Sequence, residues 1–402
     1  MSSVRKRTWT SPNGEEKTRW VVDYKDSAGK RRAKQFVRKK EADAWLIKTA
    51  WHVTQGPHTP DSQSITVISA GELWLARARR DQLEHTTIAA YEQHLRLHIV
   101  PLLGHRKLSQ LTKPAIEAFR DILIETRSRP MAARVMRSLR SLIGEAERRG
   151  YIAQNVAHGV AVRRANRDQR RIEIPSKVEM RAMVDAAKAS DNPMDAPLVL
   201  TCVFQGLRAS ELRGLPWRSV DLRAGTLHIE QRADSRLLIG PPKSSAGRRI
   251  VPLADCVVSS LRKWRLRCPA TDLDLVFPSP RGKPLSHASL HKMHLWPVQV
   301  TAGICDPKLD SAGDPVIDNK GAIKKAARYS THALRHCAAS LWIEQRVNPK
   351  RIQKWIGHSS IQMTFDVYGH LFDQADADAA VMAAVEREVF GAVDATQLQQ
   401  EA

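Results

Sequence analysis

At 402 residues, 42% of them apolar and 26% charged, the chain is too long for one ordinary domain and apolar enough to bury a core in each of two or three. Its 64 Lys/Arg against 42 Asp/Glu leave a formal charge of +22, a field that attracts polyanions and makes nucleic acid the expected partner. Wholesale disorder, a membrane span and a secreted disulfide scaffold are not the reading: no apolar run reaches spanning length, and Cys202, Cys256, Cys268, Cys305 and Cys337 are scattered without paired spacing for a bridge or a zinc site.

In chain order, residues 1–60 form the most basic unit, with thirteen Lys/Arg against four Asp/Glu in residues 1–40. Trp20 to Tyr24 alternates as a strand, Asp26 to Gly29 supplies a turn, Arg32 to Val37 resumes extended structure, and a short helix spans Lys40 to His52. A small sheet backed by one helix, basic along its strands, can lie in a major groove; the alternative is a basic surface that touches phosphates without reading bases. Gly56 to Ser64 breaks the periodicity as a linker. Residues 61–165 then show helical spacing over Ala70 to Arg80, Thr86 to Ile99, Thr112 to Glu125 and Met131 to Arg149, a helical bundle of about 100 residues. On the last helix Val135, Leu139, Leu142, Ile143 and Ala146 share one face, and Gly150 supplies a left-handed stop. Arg134, Arg137, Arg140 and Arg148 lie off that face and are expected on a DNA backbone.

Val162 to Arg171 carries five arginines and reads as a linker lying along DNA, so that the bundle and the following unit close round a duplex as a C-shaped clamp. Ser176 and Glu179 have capping-box spacing and open a mixed unit over residues 172–390. Helices at 176–189 and 195–205 lead to strands near Thr226 to Gln231 and Arg249 to Leu253, then mostly helices to about Glu388, with a flexible tail over 391–402. The expected fold class is multidomain, mainly α with small β-sheets.

The chemistry concentrates in Gly206, Leu207, Arg208, Ala209, Ser210, Glu211 and, near the C-terminus, in His332 with Arg335 and His336, Ile356 with Gly357 and His358, and Tyr368. Guanidinium groups match two phosphate oxygens and stay charged at any working pH, which makes Arg208 and Arg335 natural clamps. A tyrosine hydroxyl can attack phosphorus and conserve the broken bond as an ester, which makes Tyr368 the candidate nucleophile. His332 and His358 can donate to developing charge or move a proton. Singly, each has a structural explanation: an ion pair for Arg208, a satisfied half-buried ring for His332, a helix cap at Ser359 or Ser360, packing for Tyr368. Their joint occurrence in this order favours phosphodiester chemistry.

These fragments resemble, in order and separation, the signature of the tyrosine recombinase (phage integrase) family over roughly residues 170–375, and the preceding segments resemble its two DNA-binding domains. The resemblance implies an arm-type DNA-binding domain at 1–60, a core-binding SAM-like bundle at 61–165 and a catalytic domain at 172–390. It adds a lysine on a β-hairpin between the first arginine and the histidine. Lys243, after Pro242 where a threonine is frequent, sits at that place; Lys263, Lys283 and Lys292 lie in the same interval. The stretch from Cys305 to Tyr329 is longer and more polar than usual in the family.

The resemblance implies that Tyr368 forms a 3′-phosphotyrosyl bond and frees a 5′-hydroxyl. Arg208 and Arg335 neutralise the phosphate, Lys243 protonates the leaving oxygen, His332 assists the tyrosine's proton transfer, and His358 hydrogen-bonds the phosphate. Glu211 orients Arg208 or its loop. Neither metal nor nucleotide cofactor is needed. Partners are double-stranded DNA at core and arm sites and three further copies in a tetramer on DNA, with the free chain able to be a monomer and with room for host bending or directionality factors. The tail is able to dock on a neighbouring protomer. The expected location is the cytoplasm of a bacterial host. Two alternatives stand beside this: a non-catalytic DNA-binding or architectural protein on the same scaffold, which predicts a missing catalytic group, and a type IB topoisomerase, which has no use for a second DNA-binding sheet.

Overall fold

A computed structural model describes residues 3–10, 16–25, 31–46, 64–163, 173–310, 312–319 and 321–369. The expected turn after Lys25, most of the linkers at 56–64 and 162–171, any helix beyond Tyr368 and the tail over 391–402 lie outside the described residues. The chain divides into two compact units, residues 1–169 and 170–402.

The first unit begins with an antiparallel sheet in the order β1 (Ser3–Thr10), β2 (Glu16–Lys25), β3 (Arg31–Phe36), followed by a helix α1 whose described part covers residues 39–46. Strand β1 is absent from the sequence reading. It lies at the sheet edge and is almost wholly exposed, so no apolar alternation marks it. On β2 the buried Val22 and Tyr24 share a face by period two, and Tyr24 meets Trp45 of α1 edge-on at 5.0 Å.

Four main helices follow: α2 (Val67–Arg80), α3 (His85–His94), which runs through a π turn at Leu95–Ile99 into the short α4 (Val100–Leu103), α5 (Lys113–Thr126) and α6 (Arg129–Arg148). Thr112 caps α5 by accepting from the Ala115 amide, and Pro114 fits its first turn. The predicted face of α6 is fully buried against Val67, Trp74, Ile99, Ile116 and Phe119. Gly150 ends it at φ +76°.

Two of the four off-stripe arginines are engaged inside the unit. Arg140 donates to the Ala157 and Val160 carbonyls, and Arg148 joins Arg77 and Arg149 around the buried Glu145. Arg134 and Arg137 are exposed, and Arg148 keeps 56% of its side-chain surface in solvent despite its ion pair.

The second unit opens with α7 (Lys177–Lys188), where Ser176 and Glu179 form the anticipated capping box. Then come α8 (Asp195–Gln205) and α9 (Ala209–Arg213), the antiparallel sheet β4 (Val220–Asp221), β5 (Thr226–Ile229) and β8 (Arg249–Pro252), and the hairpin β6 (Arg232–Ala233) with β7 (Ile239–Gly240). Helices α10 (Asp255–Arg265), α11 (His287–Ser289) and α12 (Trp296–Thr301) complete the scaffold. Leu198, Val203, Leu227, Val251, Leu261 and Phe277 form its buried core.

Where the sequence reading ran mostly helix, residues 305–327 are β-structure. β9 (Cys305–Pro307) pairs with β10 (Lys325–Ala327), and bridges at Leu309 with Pro315 and Ile317 with Ile323 continue it. Asp310 and Asp318 accept from backbone amides two to four residues on, the turn chemistry that competes with helix. Helices α13 (Thr331–Glu344), α14 (Pro349–Ile356) and α15 (Ile361–Tyr368) close the described part.

Candidate active site

Three chain reversals bring the motif residues together. Helix α8 ends at Gly206 in the left-handed conformation, φ +59°, and the chain turns at once into α9 with Arg208 at its cap. An added Cβ at Gly206 would stand 3.0 Å from the Trp342 ring, so the turn requires glycine both for its backbone angle and for its space. Helix α14, capped by Asn348 with Pro349 behind it, ends at Gly357, φ +71°. Its absent Cβ would lie 3.0 Å from both the Ala246 carbonyl oxygen and the Arg249 guanidinium. Ser360 then caps α15 by accepting from the Met363 amide, and α15 carries Tyr368 as its last residue.

The arginines are fixed by the carbonyls those reversals expose. Arg208 donates to Gly357 O at 2.7 Å, while Arg335 donates to Ile356 O and to Gly206 O, the latter at 2.6 Å. Carbonyls of a last helical turn have no intrahelical partner and carry partial negative charge, so they hold cations without neutralising them.

Glu211 is the anchor beneath. It is 2% exposed and accepts from the Arg208 backbone amide and guanidinium, each at 2.8 Å, and from both terminal nitrogens of Arg249 at 3.0 and 2.8 Å. Burial works to raise its carboxyl, but the Arg249 hydrogen bonds and charge, with Arg208, hold it down at about 2.

Arg249 was not singled out from sequence. It is buried and also donates to the Trp355 and Gly247 carbonyls, so one guanidinium joins β8, α9, α14 and the loop after Lys243. The only sequence signal was a charged residue at an inward position of a strand.

Three guanidinium groups thus surround one carboxylate. Arg335 is 3% exposed; burial first, then the charge of Arg208, pulls it down to about 9, so it stays charged at neutral pH. Arg208 is the one whose side chain opens to solvent, at 36%. The surplus positive charge calls for an anion.

His332, exposed at the start of α13, is lowered by partial desolvation and by Arg335 and Arg208. His358 is buried, its Nδ1 lies 3.0 Å from Thr364 Oγ1, and burial with Arg335, Arg208, Arg249 and His332 takes it to about 4. Its ring lies nearly parallel to that of Tyr368, centroids 6.4 Å apart. Tyr368 packs with Ala339, Ile343, Ile352 and Ile356, is 2% exposed, and burial raises its phenol while Arg335 opposes.

The hydroxyl of Tyr368 meets His336, not His332: Oη and Nδ1 are 2.6 Å apart. The sequence placed His336 only as a letter beside Arg335. Its signal was helical spacing, one turn beyond His332 on the same face.

Arg208, Glu211, His332, Arg335, His358 and Tyr368 therefore fall in one cluster. Lys243 is exposed on the loop between β7 and β8. That loop is tied in four residues later by Gly247 O to Arg249, and its Ala246 carbonyl adjoins Gly357. Lys263, by contrast, lines a separate cavity of about 1200 Å³ between α7, α8 and α10. Among the described residues no group of three or more His, Cys, Asp or Glu could hold a metal ion, and no helix is long and apolar enough to cross a membrane.

The sequence over residues 176–304 and 313–375 matches the phage integrase family, and residues 71–124 match the phage integrase N-terminal SAM-like domain. The chain belongs to the phage integrase family of site-specific tyrosine recombinases. A tyrosine recombinase XerC-like protein of Caldanaerobacter subterraneus subsp. tengcongensis is 23% identical over 94% of this chain and 98% of its own length. The prophage integrase IntR of Escherichia coli K12 is 25% identical over 60% of this chain; the match spans 57% of that relative.

The fold of this recombinase is similar to that of the Tn1549 transposon integrase solved with a circular intermediate DNA, at a TM-score of 0.63 and 19% identity over 80% of this chain and all of that one. It is also similar to a lambda integrase dimer bound to a core site, at 0.55 and 19% over 91% and 94%. The mainly helical, multidomain class with small sheets is thus the class observed, and an N-terminal three-stranded sheet is present as β1 to β3.

Proposed function

We propose that Tyr368 is the nucleophile of this recombinase and forms a 3′-phosphotyrosyl bond at the scissile phosphate of a core site. The observation that carries this reading is the placement of one phenol beside the buried Arg335 guanidinium, in a cluster with more positive than negative charge whose second motif arginine, Arg208, opens to solvent.

Arg208 and Arg335 bind the non-bridging oxygens and gain strength as charge grows there; because both are already fixed by carbonyls, little reorganisation accompanies the reaction. Lys243, on a loop tied to the Arg249 network, reaches in to protonate the departing 5′ oxygen. His332, expected to assist the tyrosine's proton transfer, meets the His336 ring instead of the phenol and joins His358 in hydrogen-bonding the phosphate; both are lowered, so each holds its donor on a neutral ring. Glu211 positions Arg208.

The 5′-hydroxyl of a partner strand reverses the step, so strand exchange uses no external energy source. Two duplexes cut on both strands require four copies on DNA. Residues 1–60, with a basic three-stranded sheet, bind arm sites, and the α2 to α6 bundle binds core sites. The exchange serves integration and, run on the joined sites, excision, in the cytoplasm of a bacterial host.

The test is a nicked suicide duplex bearing a core site recovered from a random-sequence pool by binding. Wild-type protein is expected to give a covalent band on a denaturing gel, and Tyr368→Phe to bind equally and give none. A band persisting with the phenylalanine variant would place the nucleophile elsewhere.

A further inference from the structure

We propose that His336 is the proton acceptor for Tyr368, an inference that rests on Tyr368 being the nucleophile. Nothing in the cluster lies in a better position. His336 Nδ1 is 2.6 Å from Oη, whereas His332 meets only the His336 ring, edge-on with centroids 4.4 Å apart, and His358 spends its Nδ1 on Thr364.

Direction of the hydrogen bond follows from counting orphans. His336 Nε2 is buried and has no partner among the described residues. If Tyr368 donates to Nδ1, the proton on Nε2 is the one unsatisfied group. If Nδ1 donates to Oη instead, both the phenolic O–H and the Nε2 lone pair lack partners. Each buried unpaired group loses its hydration with nothing in return, so the arrangement with fewer orphans holds: the tyrosine donates and the imidazole accepts. That is the arrangement a base needs before it acts.

The groups facing His336 keep it in the accepting form. Burial, His332 and Arg335 on its own helix, and His358 from the turn after α14 together take it to about 4; Tyr368 of α15 is the remaining contact. An acceptor this weak in the resting state gains basicity when the singly charged phosphodiester enters and screens Arg335. Arg335 and Tyr368 are both covered in the DNA-free chain, at 3% and 2% exposure, so admitting a phosphate uncovers both. His336 is the next residue to Arg335 on α13 and stays beside whatever Arg335 binds.

In the forward step the bond from Oη to phosphorus forms, the bond from phosphorus to the 5′ oxygen breaks, the phenolic proton passes to His336 Nδ1, and Lys243 gives a proton to the departing oxygen. Religation runs the same transfers backwards, returning the proton from His336 to Tyr368.

His336→Asn is the decisive variant, because its amide oxygen can accept from Tyr368 as Nδ1 does but cannot take the proton. His336→Ala removes both. Single-turnover cleavage of the pool-selected suicide duplex is measured from pH 6 to 10 with full-length protein, alongside DNA affinity and thermal melting. At pH 7 both variants are expected to cleave about 100-fold more slowly than wild type, with affinity unchanged. Both should gain rate with rising pH as solvent takes over, while wild type stays flat.

A duplex with sulfur replacing the bridging 5′ oxygen leaves readily without an acid. It should rescue Lys243→Ala and leave the His336 variants slow. Cleavage by His336→Asn within threefold of wild type, with the same pH profile, overturns the proposal and reduces His336 to packing. If Tyr368→Phe still forms a covalent band, it is the nucleophile assignment that fails instead. Should His336→Ala not fold, the asparagine variant decides alone.

Discussion

Removing the Arg249 side chain as Arg249→Met tests whether the active site is held by its buried ion pair. Holding the Glu211 carboxyl at about 2 instead of the ordinary 4.5 corresponds to roughly 3 kcal/mol in favour of the ionised form, at about 1.4 kcal/mol for each tenfold change. Methionine fills much of the volume but leaves Glu211 with Arg208 alone and strips a donor from the Trp355 and Gly247 carbonyls. Breaking one side of a buried pair costs about 3–5 kcal/mol, and at roughly 2–4 °C per kcal/mol for a unit of this size the melting temperature should fall by about 10 °C.

Calorimetry at pH 7 measures it, and a double-mutant cycle with Glu211→Gln measures the coupling. The double variant should be less destabilised than the two singles added, by about 1–3 kcal/mol. A melting temperature within about 2 °C of wild type, or strict additivity, would refute the idea that this pair organises the site.

Gly206→Ala should lose most cleavage and about 1–3 kcal/mol of stability, since it forces a side chain into the left-handed region and against Trp342 while moving the carbonyl that holds Arg335; urea unfolding and suicide-duplex trapping read the two effects. Acid should destabilise the protein in two stages. His336 and His358, about 4 when folded against an ordinary 6.5, bind fewer protons folded than unfolded, so stability falls as pH drops from 6.5 towards 4. Glu145 and Glu211, both about 2 when folded against 4.5, contribute fully above 4.5 and lose that contribution as pH falls towards 2. Melting temperature against pH shows both, and a curve flat from 7 to 5 contradicts the first stage. Deleting residues 1–60 should spare core-site cleavage and weaken binding to distal arm sites; gel-shift assays that show equal loss at both would contradict the division of labour.

Elements with strong local signals were legible from the residues alone. The α6 stripe, the Ser176 and Glu179 capping box and the Gly150 stop rest on contacts a few residues apart, and each appears as its spacing predicts. Strand β1 and the β9 to β10 segment were not legible, because exposed strands bury no alternating face and polar tight turns are all that mark them. Two of the four arginines assigned to DNA on α6 have partners within the unit, Arg140 on carbonyls and the still-exposed Arg148 on Glu145; a helix position off the apolar face says only that a side chain is free to reach elsewhere.

The amino-acid order determined the chemistry: which arginines, histidines and tyrosine are present, and that their spacing matches one family, since reactive groups and local turns are written residue by residue. Tertiary structure alone decided who touches whom. It placed Arg249 under Glu211 from 38 positions away and set His336 rather than His332 against the hydroxyl of Tyr368. Those choices depend on how α13, α14 and α15 pack around a few buried charges, and a buried charge accepts whichever partner the packing delivers at hydrogen-bonding distance.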